Sequence, residues 1–307
     1  MLSLRPPSLN DQIAGFLRDE HIEGAVIAYG RIGSRPTVLA IGKATPDHAM
    51  RPDDRFRLAS PAKPITAAAV LHLIDEGHIT LDTPVREAGP GITVRHLLQH
   101  SGGWDRSRSI DPIGDPRTLE KIGISGPYRC EDIAARLPPV QFRPGTRYAY
   151  SNIGYCRLGQ LIERVSGMSY SSYVERYILA PRGAALVYGG RPSVRHPSEW
   201  TDLAYRALGP GGGWTGSASS YWSFAAGPLA PEVAERPPYA KTGQSYYGFG
   251  WRVWPDGKLS HFGAIPGAYA MVVRKNGRVA VLLFNGRPAN DENAFRRLRA
   301  VLQSIGI

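Results

Sequence analysis

Leu58-Ala59-Ser60-Pro61-Ala62-Lys63-Pro64-Ile65-Thr66-Ala67-Ala68-Ala69-Val70-Leu71-His72-Leu73-Ile74 opens on a serine and runs on into the most apolar stretch of the chain. Residues 62–74 are apolar on nearly every side, which predicts a buried helix, ending near Gly77. Ser60 and Lys63 stand three apart, a spacing that places two side chains on one helical face. A lysine desolvated inside a buried helix loses its proton more readily and can then activate the neighbouring hydroxyl as a nucleophile. Ser-x-x-Lys is nevertheless a common pattern, and a serine cap followed by a solvated lysine accounts for it just as well in isolation. Pro61 and Pro64 each disfavour helical geometry at the residue before them, so Ser60 is expected at the helix mouth and Lys63 falls under the same restriction.

On both sides of this run the hydrophobic period changes. Leu9, Ile13, Phe16 and Leu17 recur at helical spacing, with Ser8 or Asn10 able to cap, which predicts an N-terminal helix over residues 9–20. Residues 24–30 and 37–42 read as two strands joined by the Gly33-Ser34-Arg35-Pro36 turn. A short helix over residues 93–100 stops at Ser101-Gly102-Gly103. The irregular stretch 104–128 after it is a candidate wall of a binding cleft. After Tyr148-Ala149-Tyr150-Ser151-Asn152 a helix carrying Leu158, Leu161, Ile162 and Val165 is expected to run to Gly167, with others at 170–179 and around 218–226. The last third returns to strand period: residues 248–254, a Pro255-Asp256-Gly257 turn, residues 259–263, then 268–274 and 278–284 joined by Asn276-Gly277, a strong two-residue hairpin signal. A helix over residues 291–302 closes the chain.

Strands at both ends with helices between them predict an α+β fold. One antiparallel sheet is built from both chain ends, flanked by the terminal helices, and carries a large inserted, mostly helical region. The expected organisation is a single domain over 1–307, with a sheet part at about 8–57 and 241–307 and a helical part at about 58–240. A catalytic site belongs where the two meet.

Composition narrows the classes of function. A length of 307 residues buries a large core, and 42% hydrophobic with 21% charged residues is ordinary for a soluble globular chain. No run of about eighteen apolar residues exists to span a membrane. The start has no apolar signal region, so a cytoplasmic chain is expected unless a signal was removed. The net charge of +11 would suit nucleic acid, anionic lipid or a cell-wall polymer, but the basic residues are scattered and read as solvated surface, so no nucleic-acid partner is expected. Cys130 and Cys156 are too few for a disulfide framework and have no metal spacing; free thiols are expected, with one bridge as the alternative. No metal or cofactor site is expected: Gly211-Gly212-Gly213-Trp214-Thr215-Gly216 fits a dinucleotide pattern, but no strand precedes it, and it reads as a loop.

Two further groups change the weight of Ser60. Tyr150-Ser151-Asn152 puts a phenol two residues from an amide, and His261-Phe262-Gly263 puts an imidazole beside a close-approach glycine on a strand. In this order they resemble the three motifs of the penicillin-recognising serine hydrolases: Ser-x-x-Lys, Tyr-x-Asn, and Lys-Thr-Gly or its His-x-Gly variant. Leu97-Leu98-Gln99-His100-Ser101-Gly102-Gly103, Pro144-Gly145-Thr146 and Tyr247-Gly248-Phe249-Gly250-Trp251 are similar to further segments of the β-lactamase-related family, which includes class C β-lactamases, D-alanyl-D-alanine carboxypeptidases, D-aminopeptidases and some carboxylesterases. The resemblance covers about residues 10–305. Lys241-Thr242-Gly243 also fits the third motif literally, but it precedes the Tyr247 segment where the family's motif follows it, so His261 is preferred.

The resemblance implies a β-lactamase-like fold and a cofactor-free acyl transfer. Ser60 would be acylated, while Lys63 and Tyr150 would act as a coupled acid–base pair. Asn152 would donate near Lys63 or to substrate, and His261 and Gly263 would line the substrate site. The backbone N–H groups of Ser60 and Ala264 would be the oxyanion donors, worth on the order of 3 kcal/mol each. Phe262 and Ala264 offer no hydroxyl where relatives hold a substrate carboxylate, and His261 replaces a lysine, both of which weaken recognition of an anionic β-lactam. The expected activity is therefore hydrolysis of a small ester or amide, carboxylesterase-type preferred. A D-stereospecific peptidase or amidase, a β-lactamase, and a penicillin-binding or sensor domain acylated without turnover are the alternatives. Trp104, Tyr128, Trp214, Tyr221, Trp222 and Tyr246 are candidate aromatic walls; oligomeric state is left open.

Overall fold

The two ends of the chain meet in an eight-stranded antiparallel sheet in a computed structural model that describes residues 7–105, 123, 129–136, 139–197, 205 and 207–307. Its strands are β1 (Gly24–Arg31), β2 (Thr37–Thr45), β3 (His48–Ala49), β7 (Tyr246–Tyr247), β8 (Arg252–Val253), β9 (Leu259–Ile265), β10 (Ala268–Lys275) and β11 (Arg278–Phe284), in the order β3-β2-β1-β11-β10-β9-β8-β7. Pairing of β1 with β11, in register from Ala25 opposite Phe284 to Arg31 opposite Arg278, is what joins the N-terminal hairpin to the C-terminal meander. Asn285 seals this junction from a fully buried position: its Oδ1 accepts from Gly24 N at 2.7 Å and its Nδ2 donates to Lys43 O at 2.9 Å.

Alternation along the central strands explains how one sheet serves two cores. Ala25 and Ile27, with Tyr269, Met271, Ala280 and Leu282, face the terminal helices α1 (Leu9–Asp19) and α8 (Asp291–Gln303). Val26, Ala28, Ala270, Val272, Val281 and Leu283 face the other way, into the core that continues through the inserted helices. Ser8 caps α1 with a reciprocal Asp11 contact, as its position before the apolar period requires.

The inserted elements include helices α2 (Ala62–Asp75), α3 (Val94–Leu98), α4 (Cys130–Ala134), α5 (Asn152–Ser166), α6 (Tyr170–Val174) and α7 (Ala218–Ala226). A small sheet of β4 (Phe56–Arg57), β6 (Trp214–Gly216) and β5 (Val187–Tyr188) leads into the serine, with Leu58 N donating to Trp214 O at 2.9 Å. Ser60 lies outside α2, as Pro61 predicts. Lys63 lies inside the helix in spite of Pro64, because Pro64 falls in the first turn, where its missing N–H has no intrahelical partner to lose.

Two expectations are corrected and a third is refined. Cys130 and Cys156 are not free thiols: they form a disulfide joining α4 to α5, with Cα atoms 5.9 Å apart. Residues 248–254 are not one strand; Gly248 to Trp251 form a bend between β7 and β8. Gly250 takes φ +79° there against α2, where a Cβ would stand 2.7 Å from that of Ala67. The 170–179 helix is α6 continued by a wider π turn, Glu175–Leu179. Most of the expected cleft wall at 104–128 lies outside the described residues. Among those described, no helix is long and apolar enough to cross a membrane.

Candidate active site

Ser60 sits where α2, the N-terminus of α5 and strand β9 converge. Tyr150 Oη donates to its Oγ at 2.7 Å, and Lys63 Nζ is 3.3 Å from the same oxygen. Lys63 is fully buried, and its ammonium is fixed from behind by Asn152 Oδ1 and by the carbonyl of Gly211, both at 2.7 Å. The nitrogen also stands 4.7 Å from the centre of the Tyr150 ring and 5.5 Å from that of Tyr155, so phenyl faces shield it from water. Two strong acceptors claim two of its N–H groups, leaving the third position of the nitrogen turned to Ser60. In the neutral amine that position is a lone pair.

Tyr150 is held by His100, which has φ +54° after α3. The His100 ring packs 4.3 Å from that of Tyr150 and 4.4 Å from that of Tyr247. Its Nδ1 accepts from Ser151 N at 3.2 Å, and its carbonyl accepts from Ala149 N at 2.8 Å. The segment around Tyr150 is thus fixed on both sides by main-chain N–H groups that donate to His100, one to its carbonyl and one to its ring.

His261 is buried in β9. Nδ1 faces Phe262 O at 2.8 Å and Nε2 faces Tyr247 Oη at 2.8 Å. A carbonyl only accepts, which assigns the ring proton to Nδ1 and makes Tyr247 the donor to Nε2. Burial, helped by the charge of Lys63, pushes the imidazole pKa down to about 3, so it is neutral near pH 7. Gly263 lets the strand approach: a Cβ on it would stand 2.5 Å from both Ser60 N and Pro61 Cδ. Ala264 follows it along the same cleft, a space of about 530 Å³.

The structure therefore brings Ser60, Lys63, Tyr150, Asn152, His261, Gly263 and Ala264 together, while the aromatic walls differ from expectation. Trp214, Tyr221 and Trp222 are buried in the core, Tyr221 bonding Pro61 O at 2.7 Å. Trp104 and Tyr246 do not line the cleft, and Tyr128 lies outside the described residues. Tyr148, Tyr150, Tyr247 and Phe262 are the aromatic residues that line the cleft, with Arg252 among them. Gly211 and His100 stand in patterns quoted from the sequence, but no role at the site was expected of either; Gly211 acts through a carbonyl, which carries no residue-type signal. Lys241-Thr242-Gly243 is exposed.

A family model described as Beta-lactamase matches residues 9–304. Over 140 residues the chain is 36% identical to a probable fimbrial assembly protein, FimD of serogroup H1, from Dichelobacter nodosus, covering 42% of this chain and 34% of that protein. It is 31% identical over 191 residues to esterase EstB of Burkholderia gladioli, covering 54% of this chain and 47% of the esterase. The chain thus spans less than half the length of either relative. In fold it is similar to the D-amino acid amidase from Ochrobactrum anthropi SV3, with a TM-score of 0.78 at 21% identity over 97% of this chain and 100% of the amidase.

Proposed function

We propose that this chain, which belongs to the beta-lactamase family, is a serine hydrolase that cleaves small esters through an acyl-enzyme on Ser60. One observation carries the reading: a serine hydroxyl within 2.7 Å of a phenol and 3.3 Å of a buried lysine, at the floor of a cleft. As Ser60 Oγ attacks the carbonyl carbon, its proton passes to the Lys63–Tyr150 pair. The negative charge that develops on the carbonyl oxygen is taken up by the N–H groups of Ser60 and Ala264. Collapse expels the alkoxide, which takes a proton from Tyr150, and water then repeats the sequence on the acyl-enzyme. Asn152 and Gly211 hold Lys63 in place throughout.

Preference for an ester over a lactam rests on the third motif. His261 is neutral, and Phe262 and Ala264 supply no hydroxyl, so the groups that would hold a β-lactam carboxylate there are missing. The similarity to an esterase points the same way. Arg252 favours a second reading, an amidase or peptidase with an anionic substrate: it lines the cleft, where its guanidinium meets only the neutral Ser245 hydroxyl at 3.4 Å among the hydrogen bonds of the described residues. Kinetics on p-nitrophenyl butyrate, D-alanyl p-nitroanilide and nitrocefin, with Ser60→Ala as control, separate these. Ester turnover dominates under the first reading, and nitrocefin turnover faster than the ester overturns it.

A further inference from the structure

We propose that Cys130 and Cys156 form a reversible thiol–disulfide site whose closed state positions Lys63, placing the reaction under redox control. The inference rests on the hydrolase reading above. Lys63 Nζ is held by Asn152 Oδ1 and Gly211 O, and the bridge joins the helix that carries the first to a cysteine packed against the turn that carries the second. Asn152 is the first residue of α5, and Cys156 follows four residues on, one turn along the same helical face. On the other side Cys130 Sγ packs against Gly209, where an added Cβ would stand 2.9 Å from the sulfur. Gly209 takes φ +53° and opens the tight turn Gly209–Gly211, whose last carbonyl receives Lys63. The bridge also closes the segment 130–156, which carries Tyr150.

Opening the bridge takes two electrons and two protons. A thiolate of a dithiol attacks one cysteine sulfur and forms a mixed disulfide; its second thiol then releases that cysteine and closes the reductant's own disulfide, leaving two protein thiols. Cys130 and Cys156 are 2% and 0% exposed, so attack requires α4 to lift from α5, and opening is slow. An oxidising compartment keeps the site closed, and a reducing one opens it. Once open, nothing covalent keeps α4 behind the Gly209 turn. A drift of about 1 Å in either acceptor of Lys63 takes the nitrogen off line with Ser60, which lowers the rate by up to about 100-fold.

The test compares the full chain oxidised and after reduction by a phosphine, with the cysteine state counted by mass after alkylation. In the reduced form kcat for p-nitrophenyl butyrate falls at least about tenfold while KM stays within about twofold, and glutathione disulfide restores it. Cys130→Ser with Cys156→Ser gives a chain that runs at the reduced rate in either redox condition. The rate at which a fluorophosphonate labels Ser60 follows the same pattern and needs no turnover. Equal rates in both states, with both thiols shown to be free, overturn the proposal. So does a reduced form that has lost cooperative melting at the assay temperature, since the bridge is then only a staple of the fold. Labelling of Ser60 without ester turnover overturns the ester reading, and the labelling rates still decide this one.

Discussion

Tyr150 is the residue whose loss separates the proposed chemistry most cleanly from folding. Its ring packs on His100, while its hydroxyl meets Ser60, so Tyr150→Phe keeps the packing and removes the proton path. The expected result is a fall in kcat of about 10²–10⁴-fold with an unchanged melting temperature, checked by steady-state kinetics and calorimetry. Asn152→Ala removes one of the two fixed acceptors of Lys63 and should lower kcat more than it raises KM, about tenfold, in the same assay. These side chains were legible in the sequence because each brings a distinct chemistry at a distinct spacing. Gly211 was not, because any residue type offers a carbonyl, and Cys156 was not, because two cysteines do not reveal whether they meet in space.

At the scale of elements, strand β9 and helix α2 must touch for Ser60 to face its cleft, and Gly263 is where they do. Gly263→Ala puts a methyl group 2.5 Å from Ser60 N, so the strand must move away. Activity should fall about 100-fold while far-UV circular dichroism stays native; unchanged kinetics would show that the contact does not matter. Most elements were legible because their signals were clean: two short apolar runs joined by Asn276-Gly277 in residues 268–284 and a nearly all-apolar run in α2. The expected strand over 248–254 failed because Gly250 wraps the chain onto α2 at a positive φ, a tertiary contact that overrides a local β pattern. The aromatic walls failed for a related reason, since Trp214, Tyr221 and Trp222 are as well suited to a core as to a cleft, and they fill the core.

Stability of the whole molecule depends on the join between its ends and on pH. Asn285→Ala leaves Gly24 N and Lys43 O without their partner at the sheet junction and should cost roughly 2–4 kcal/mol, read from the urea midpoint. His261 is held neutral when folded, with a pKa near 3, but titrates at its ordinary value of about 6.5 when unfolded. The unfolded chain therefore binds the extra proton, so this contribution is complete above pH 6.5 and declines as pH falls toward 3. Between pH 6.5 and 5 the loss is about 2 kcal/mol, and His261→Gln should flatten that slope in urea titrations. The central claim, an acyl-enzyme on Ser60, is tested most directly by intact mass of the whole chain, quenched in acid during turnover of p-nitrophenyl butyrate. A butyryl adduct on the Ser60 peptide that is absent from Ser60→Ala is the predicted result; undiminished ester turnover by Ser60→Ala would contradict the account.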